Sequence, residues 1–282
     1  TEEEIQRVCA ALQIKQDFIR YSLDEEEKAR IDTEDDDNTT LYIIDIPVIE
    51  SDRTRRVYVT MPIGVIFVRD DYIITVSQKN NDIIKDIKTE NVITYKKSRF
   101  LLQILYANSK KFLSLLYKIN KELESTENKL KNSLQNEGLL KMLDLEKSLV
   151  YFTTSLKSNE VVMEKTTRGK IIKLYEEDED LLEDAIIENK QAIEMAKIYS
   201  DILSGTMDTY ASIISNNLNA VMKILTSVTF ILAIPTLIAS IWGMNVELPF
   251  QREPLGFLII TVFSIIMCIV ATIWLKRKRM LN

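Results

Sequence analysis

Two uncharged stretches near the C-terminal end constrain this chain more than any other feature. From Ile224 to Trp242 nineteen residues pass without a charge, and Leu255 to Leu275 forms a second such run. About 20 apolar residues carry a helix across a ~30 Å hydrocarbon core. Lipid offers no partner to free backbone N–H and C=O groups, so both runs are expected to be helices. The short loop 246–254 joins them into a hairpin.

The first run is not uniformly apolar. Steps of three and four along it meet Asn219, Met222, Thr226, Thr229, Ala233, Thr236 and Ser240, while the other faces carry Ile, Leu, Val and Phe. Small and hydroxylated residues also serve plain helix packing in membranes. The same stepping taken backwards reaches Ser215, Ser212, Asp208, Gly205 and Asp201. One face of a long helix thus passes from acidic through hydroxyl to a membrane-embedded polar line, and a symmetric ring of such helices would enclose a cation path. A single copy would leave the stripe stranded in lipid.

Gly243-Met244-Asn245 ends this helix. It follows Asp201, Gly205, Asp208, Tyr210, Ser212, Ser215, Asn216, Asn219, Met222, Lys223, Leu225 and Thr226 at fixed spacing, and precedes a second membrane helix and a basic tail. This pattern resembles the CorA family of magnesium channels over about the last hundred residues. The resemblance implies an α+β cytoplasmic domain, a long stalk helix leading into the two-helix transmembrane hairpin, and a homopentameric funnel. It implies magnesium as cargo and as regulator, with cobalt or nickel as further cargo. Asn245 would form the selectivity ring, turned inward by Gly243 and Met244, with Met222 and Leu225 as an apolar gate. Ala233 departs from the larger residue of several relatives, and Pro235 falls one position late, which would widen the mid-membrane pore and shift its kink. Ungapped counting places Asp184 at the family's acidic regulatory position. Two other readings stay open: a zinc-moving member of the superfamily, and a non-conducting membrane scaffold or sensor.

Electrostatics supports an oxygen-ligand cation site. The chain has no histidine, which removes the commonest ligand of zinc, copper and nickel, together with His-based catalysis. Oxygen ligands remain and favour hard cations. The net charge of −6 argues against a nucleic-acid partner. Cys9 and Cys268 cannot make a disulfide framework. Neither an enzymatic reaction nor an organic cofactor is expected. Glu247 and Glu253 could gather cations at the entrance, weakly in salt. Lys276, Arg277, Lys278 and Arg279 place the C-terminus, and through the two-pass hairpin the N-terminal part, in the cytoplasm of a cell-membrane protein. They also suit a basic collar around the pore. The start at Thr1, without Met, reads as a chain cut from a longer one.

Upstream, residues 1–95 read as an α/β domain. Its short helices are Ile5–Leu12 and Gln16–Leu23, followed by a charged bend at 24–37. Four strands, 41–49, 55–60, 63–68 and 72–77, form a mixed sheet with a turn at Asp70-Asp71, and a helix spans 82–88. The acidic run at 34–37 reads as a solvated loop. Residues 96–178 read as helical arms, 101–132 and 139–165. A helix over 179–245 follows, roughly 95 Å long to Trp242. Its dry side is Leu182, Ile186, Ile193, Ala196, Leu203, Met207, Tyr210 and Ile214. Loop 246–254, helix 255–275 and tail 276–282 complete the chain.

Overall fold

The computed structural model describes residues 1–34, 38–51, 56–69, 71–80, 82–89, 96–132, 136–169, 171–245 and 255–280. The expectations for Asp70, Glu247 and Glu253, and for most of the acidic run, lie outside them. The chain forms two compact units, Thr1–Met207 and Asp208–Asn282.

The first unit opens with helices α1 (Glu2–Leu12) and α2 (Gln16–Tyr21). Thr1 and Glu4 cap α1 reciprocally, each side chain accepting from the other's backbone N–H. Strands β1 (Arg30–Glu34), β2 (Thr39–Ser51), β3 (Arg56–Val68) and β4 (Tyr72–Ser77) then build a four-stranded sheet in the order β1-β2-β3-β4. Every pairing is antiparallel, so the sheet is a meander and not the mixed sheet expected. A mixed sheet needs a crossover connection between parallel strands, and among the described residues no helix interrupts 30–77.

Two strands differ from the expectation for identifiable reasons. β1 carries a single Ile among Arg, Asp, Thr and Glu, a polar edge strand that a search for apolar runs passes over. The proline after Met61 was expected to separate two strands, yet β3 runs straight through it. Pro62 sits opposite Asp45, whose N–H donates to Asn159 Oδ1 at 2.9 Å and whose carbonyl accepts from Asn159 Nδ2 at 2.7 Å and Asn108 Nδ2 at 2.9 Å. Asp45 therefore asks nothing of the N–H that Pro62 lacks. β1 pairs with β2 only as far as Arg30 opposite Ile43, so the Asn159 amide takes the place of a further strand residue. Burial raises the Asp45 carboxyl to about 6.

Helix α3 (Asp82–Thr89) follows the sheet, and α4 (Lys97–Asn132) and α5 (Asn136–Gly169) are the long arms. Leu101, Leu102, Ile104, Leu105, Phe112, Leu113, Leu115, Leu116 and Ile119 are buried, the set the periodicity of α4 predicts. One apolar core joins α3, α4, α5 and the start of α6 to the sheet face bearing Tyr42, Ile44, Ile63 and Val65. A second joins α1 and α2 to the face bearing Leu41, Ile43, Ile66 and Val68. The sheet is thus the middle of three layers. Gly64 is needed in β3 because a Cβ there would stand 1.8 Å from the Oγ of Ser22, which itself is fully buried and donates to Phe18 O.

Helix α6 (Glu176–Trp242) belongs to both units. In the first it buries Leu182, Ala185, Asn189, Ala192, Ala196 and Leu203, with Ile186, Ile193 and Met207 partly covered. It begins three residues before the expected start, with Glu176, Glu177, Asp178 and Glu179 in its first turn, where carboxylates suit the helix dipole. Arg99 holds Asp178 at 3.3 Å. The second unit holds the rest of α6 and α7 (Gly256–Arg277), both long and apolar enough to cross a membrane. There Tyr210 is buried, but Ile214, expected on the dry side, is 42% exposed.

Candidate functional site

The polar stripe of the second unit is set by which side of α6 its neighbour α7 occupies. Between 211 and 242 only Ser227 is buried, while Ile231, Ile234, Pro235, Ile238 and Trp242 are partly covered. Cys268 Sγ of α7 lies 3.7 Å from Ile231 O, and Ser227 Oγ donates to Met280 O at 3.3 Å. A cavity of about 440 Å3 opens between Pro235 and the Thr261, Ser264, Cys268 and Thr272 face of α7. These positions recur every three to four residues and mark one side of α6.

Asn219, Met222, Leu225, Thr226, Thr229, Ala233, Thr236 and Ser240 are all exposed. At about 100° per residue they lie roughly half a turn from the α7 side. The structure brings the whole expected pore line onto one uncovered face, together with the apolar pair Met222 and Leu225, 50% and 57% exposed. α6 continues through Pro235 as helix.

Three hydroxyls along this face share a further property. Thr229 Oγ1 donates to Leu225 O and Thr236 Oγ1 to Leu232 O, both at 2.9 Å, and Ser212 Oγ to Asp208 O at 3.0 Å. Each hydroxyl commits its one proton inside the helix, so what it turns outward is lone pairs. Such oxygens accept hydrogen bonds from water around a cation and repel anions.

Gly243 closes the helix without the left-handed backbone common at such ends: no glycine has a positive φ among the described residues. Its N–H donates to Ala239 O at 2.9 Å, and that of Met244 to Ile241 O at 3.2 Å. A Cβ here would make a tight contact, 3.2 Å from Ala239 O. Gly243, Met244 and Asn245 are exposed just beyond Trp242.

At the other end of the hairpin, the Ser227–Met280 hydrogen bond brings the tail back to α6. Lys276 to Arg279 therefore lie within a turn or two of the Met222 and Leu225 level, and Arg279 takes φ 55° to make the return. Sequence reasoning misses this contact. The signal that could have found it is Ser227, a polar residue one position off the stripe.

The acidic residues are distributed over both units. Asp184 and Asp201 are exposed on α6 in the first, and Asp208 is exposed in the second. Among the described residues no three Asp, Glu or Cys side chains are grouped to hold a metal ion. Asp184 sits next to Ala185, whose carbonyl accepts from Ser109 at 3.2 Å and fixes this turn of α6 against α4.

The family profile of the CorA-like Mg2+ transporter protein matches residues 1–277. The chain belongs to the CorA family. It is 30% identical to the cobalt/magnesium transport protein CorA of Methanocaldococcus jannaschii, over 98% of this chain and 87% of that protein. The complete structure of the CorA magnesium transporter from the same organism superposes with a TM-score of 0.84 at 28% identity, again over 98% and 87% of the two chains. The cobalt/magnesium transport protein CorA of Thermotoga maritima is 32% identical over 48% of this chain and 42% of that protein. The α+β unit, the long helix and the second apolar helix are thus the CorA architecture, and the two apolar helices are long and apolar enough to be two membrane spans.

Proposed function

We propose that this CorA-family chain carries magnesium, and cobalt, across the cell membrane as a homopentameric channel. The observation that supports this best is the uncovered stripe of α6, where the Thr229 and Thr236 hydroxyls give their protons to their own helix and turn acceptor oxygens outward, on the side α7 leaves free. Copies arranged around that face would give each cation a file of oxygen acceptors in place of a lipid-exposed polar line.

Magnesium sheds water reluctantly and is commonly held through its hydration shell. In this reading five Asn245 amides at the outer mouth accept from those waters, and Gly243 and Met244 set the turn that presents them. The carboxylates of Asp201 and Asp208 raise the local cation concentration. Rings of Met222 and Leu225 close the path by excluding water, and Asn219 stands beside them. The tail cations Lys276 to Arg279, which lie near the gate, put the C-terminus and the first unit in the cytoplasm. Asp184 binds magnesium together with oxygens of a neighbouring copy. The bound cation removes the repulsion between facing carboxylates and so favours the closed state.

Magnesium uptake into proteoliposomes of the full chain tests this, with Asn245→Ala alongside. Wild-type uptake is expected to fall more than tenfold in the variant, a loss of about 1.4 kcal/mol or more in cation binding at the mouth. In vesicles with the first unit facing a magnesium-rich compartment, flux should drop and Asp184→Asn should restore it. Zinc-selective flux would point to a zinc-moving protein, and equal flux through Asn245→Ala would remove Asn245 from the filter.

A further inference from the structure

The first unit contains a cleft that the cation path does not use. It opens where the far end of the β2–β3 hairpin meets α4, holds about 320 Å3, and has Ile46, Met61 and Leu115 among its walls. Its rim carries three lysines. Lys79 follows β4, and Lys111 and Lys118 stand two turns apart on one face of α4.

This basic character is local. The chain's net charge is −6, yet Lys96 to Lys121 contains seven Lys and Arg and not one Asp or Glu. Lys79 is offset by Glu50 at 2.7 Å, and Lys111 by Asp82 at 3.6 Å. Asp82 also faces Lys85 at 3.9 Å, so its charge is spread over two cations. Lys118, which is exposed, ion-pairs with no described residue. Clustering cations costs folding free energy, whereas gathering them beside an apolar floor makes a receptor for an anion with an apolar body. The volume lies at the lower end of small-ligand pockets, enough for a flat ring system with its charged end at the rim. Lysine ammonium groups, as separate point charges from the end of β4 and one face of α4, suit a phosphate more than a single planar carboxylate, which an Arg fork would match better.

We propose that this cleft binds a nucleoside phosphate, the base lying against Val48 and Ile49, which keep exposed apolar surface in its wall, and the phosphates among Lys79, Lys111 and Lys118. The proposal is independent of the pore reading, because it concerns the first unit alone.

The test is calorimetric titration of the full chain in detergent, in EDTA, with ATP as the probe and adenosine and inorganic phosphate as its two halves. ATP is expected to bind more tightly than either half. Lys111→Ala/Lys118→Ala should weaken ATP binding by about tenfold or more, while Lys121→Ala, on the same helix but outside the cleft, should change it less than about twofold. Magnesium uptake without nucleotide should be unchanged in both. If the double variant melts early, Lys118→Gln at its exposed position must still weaken binding. The proposal is overturned by wild-type protein that does not bind ATP, by phosphate binding as tightly as ATP, or by Lys121→Ala weakening binding as much as the double substitution.

Discussion

One helix, α6, is finished by its own chain along one stretch and left unfinished along another. Before Met207 it buries Leu182, Ala185, Ala192, Ala196 and Leu203, each at 2% exposure or less. From 211 to Trp242 it buries Ser227 alone, and α7 partly covers only the Ile231–Ile238 side. Small and apolar positions recur at similar spacing in both stretches, so spacing does not explain the difference. What differs is the number of packing partners: α4, α5 and the sheet contribute to the apolar core in one stretch, and a single helix packs in the other. A polar face left over after one partner is satisfied is a surface waiting for water or for further copies, and in lipid only the second arrangement is stable.

Leu225→Asn attacks the unfinished stretch at its narrowest proposed level. Basal magnesium flux through closed channels is expected to rise on the order of tenfold, because a hydrated ring no longer excludes water. Melting of the first unit should not change. A variant that stays as tight as wild type would place the gate elsewhere.

Phe152→Ala attacks the unit to which the finished stretch belongs, on α5. The ring is fully buried and makes edge contacts with Phe112 at 5.0 Å and Tyr58 at 6.3 Å. Its removal should cost about 3–5 kcal/mol, read as a lower denaturation midpoint of the chain. If Phe152→Ala left the midpoint untouched while Leu225→Asn lowered it, the contrast between the two stretches would be lost.

Asp45→Asn sharpens the comparison through pH. The folded carboxyl titrates at about 6 against an ordinary 3.8, so the folded state holds its proton through a window where the unfolded chain has released it. Stability is then lost as pH rises from about 4 to about 6, and above that the ionised buried group costs about 2–3 kcal/mol. The Asn variant should match wild type near pH 4 and exceed it near pH 7. Thermal melts at the two pH values check this, and a gain that is constant with pH would show that the carboxyl does not titrate there.

The smallest effect is expected from Thr229→Val with Thr236→Val, which removes two outward acceptors and leaves the shape nearly unchanged. A loss of about 1 kcal/mol in cation stabilisation gives roughly a fivefold drop in magnesium flux. Unchanged flux would mean that this face packs against protein and not along the water path.

Much of the membrane part is legible in the order of residues alone. The hairpin, the stripe from Asn219 to Ser240, the Gly243-Met244-Asn245 end and the buried set of α4 are local patterns of charge and periodicity, and α6 and α7 form where those patterns place them. The stripe is legible as a series of residues, but not the side from which α7 approaches. That depends on Ser227, Ile231 and Pro235 meeting Cys268 and Met280, residues about forty to fifty positions away.

The sheet shows where sequence reasoning stops. β1 is too polar to announce itself, because an edge strand needs only one pairing partner and one covered face. β3 runs through Pro62 opposite Asp45, whose backbone groups are taken by Asn159, more than a hundred residues downstream, and not by β3. Gly64 is required by Ser22, from another layer. Each reason lies in a partner distant along the chain. The sequence by itself determined that two segments are long and apolar enough to enter lipid and that one of them carries an oxygen-bearing face, since hydropathy, charge and helical period act over a few residues. Tertiary structure decided the antiparallel order, the unbroken β3, the face of α6 that α7 covers, and the return of the basic tail to the level of Met222 and Leu225, because each of these satisfies a backbone or apolar group with atoms the local sequence does not contain.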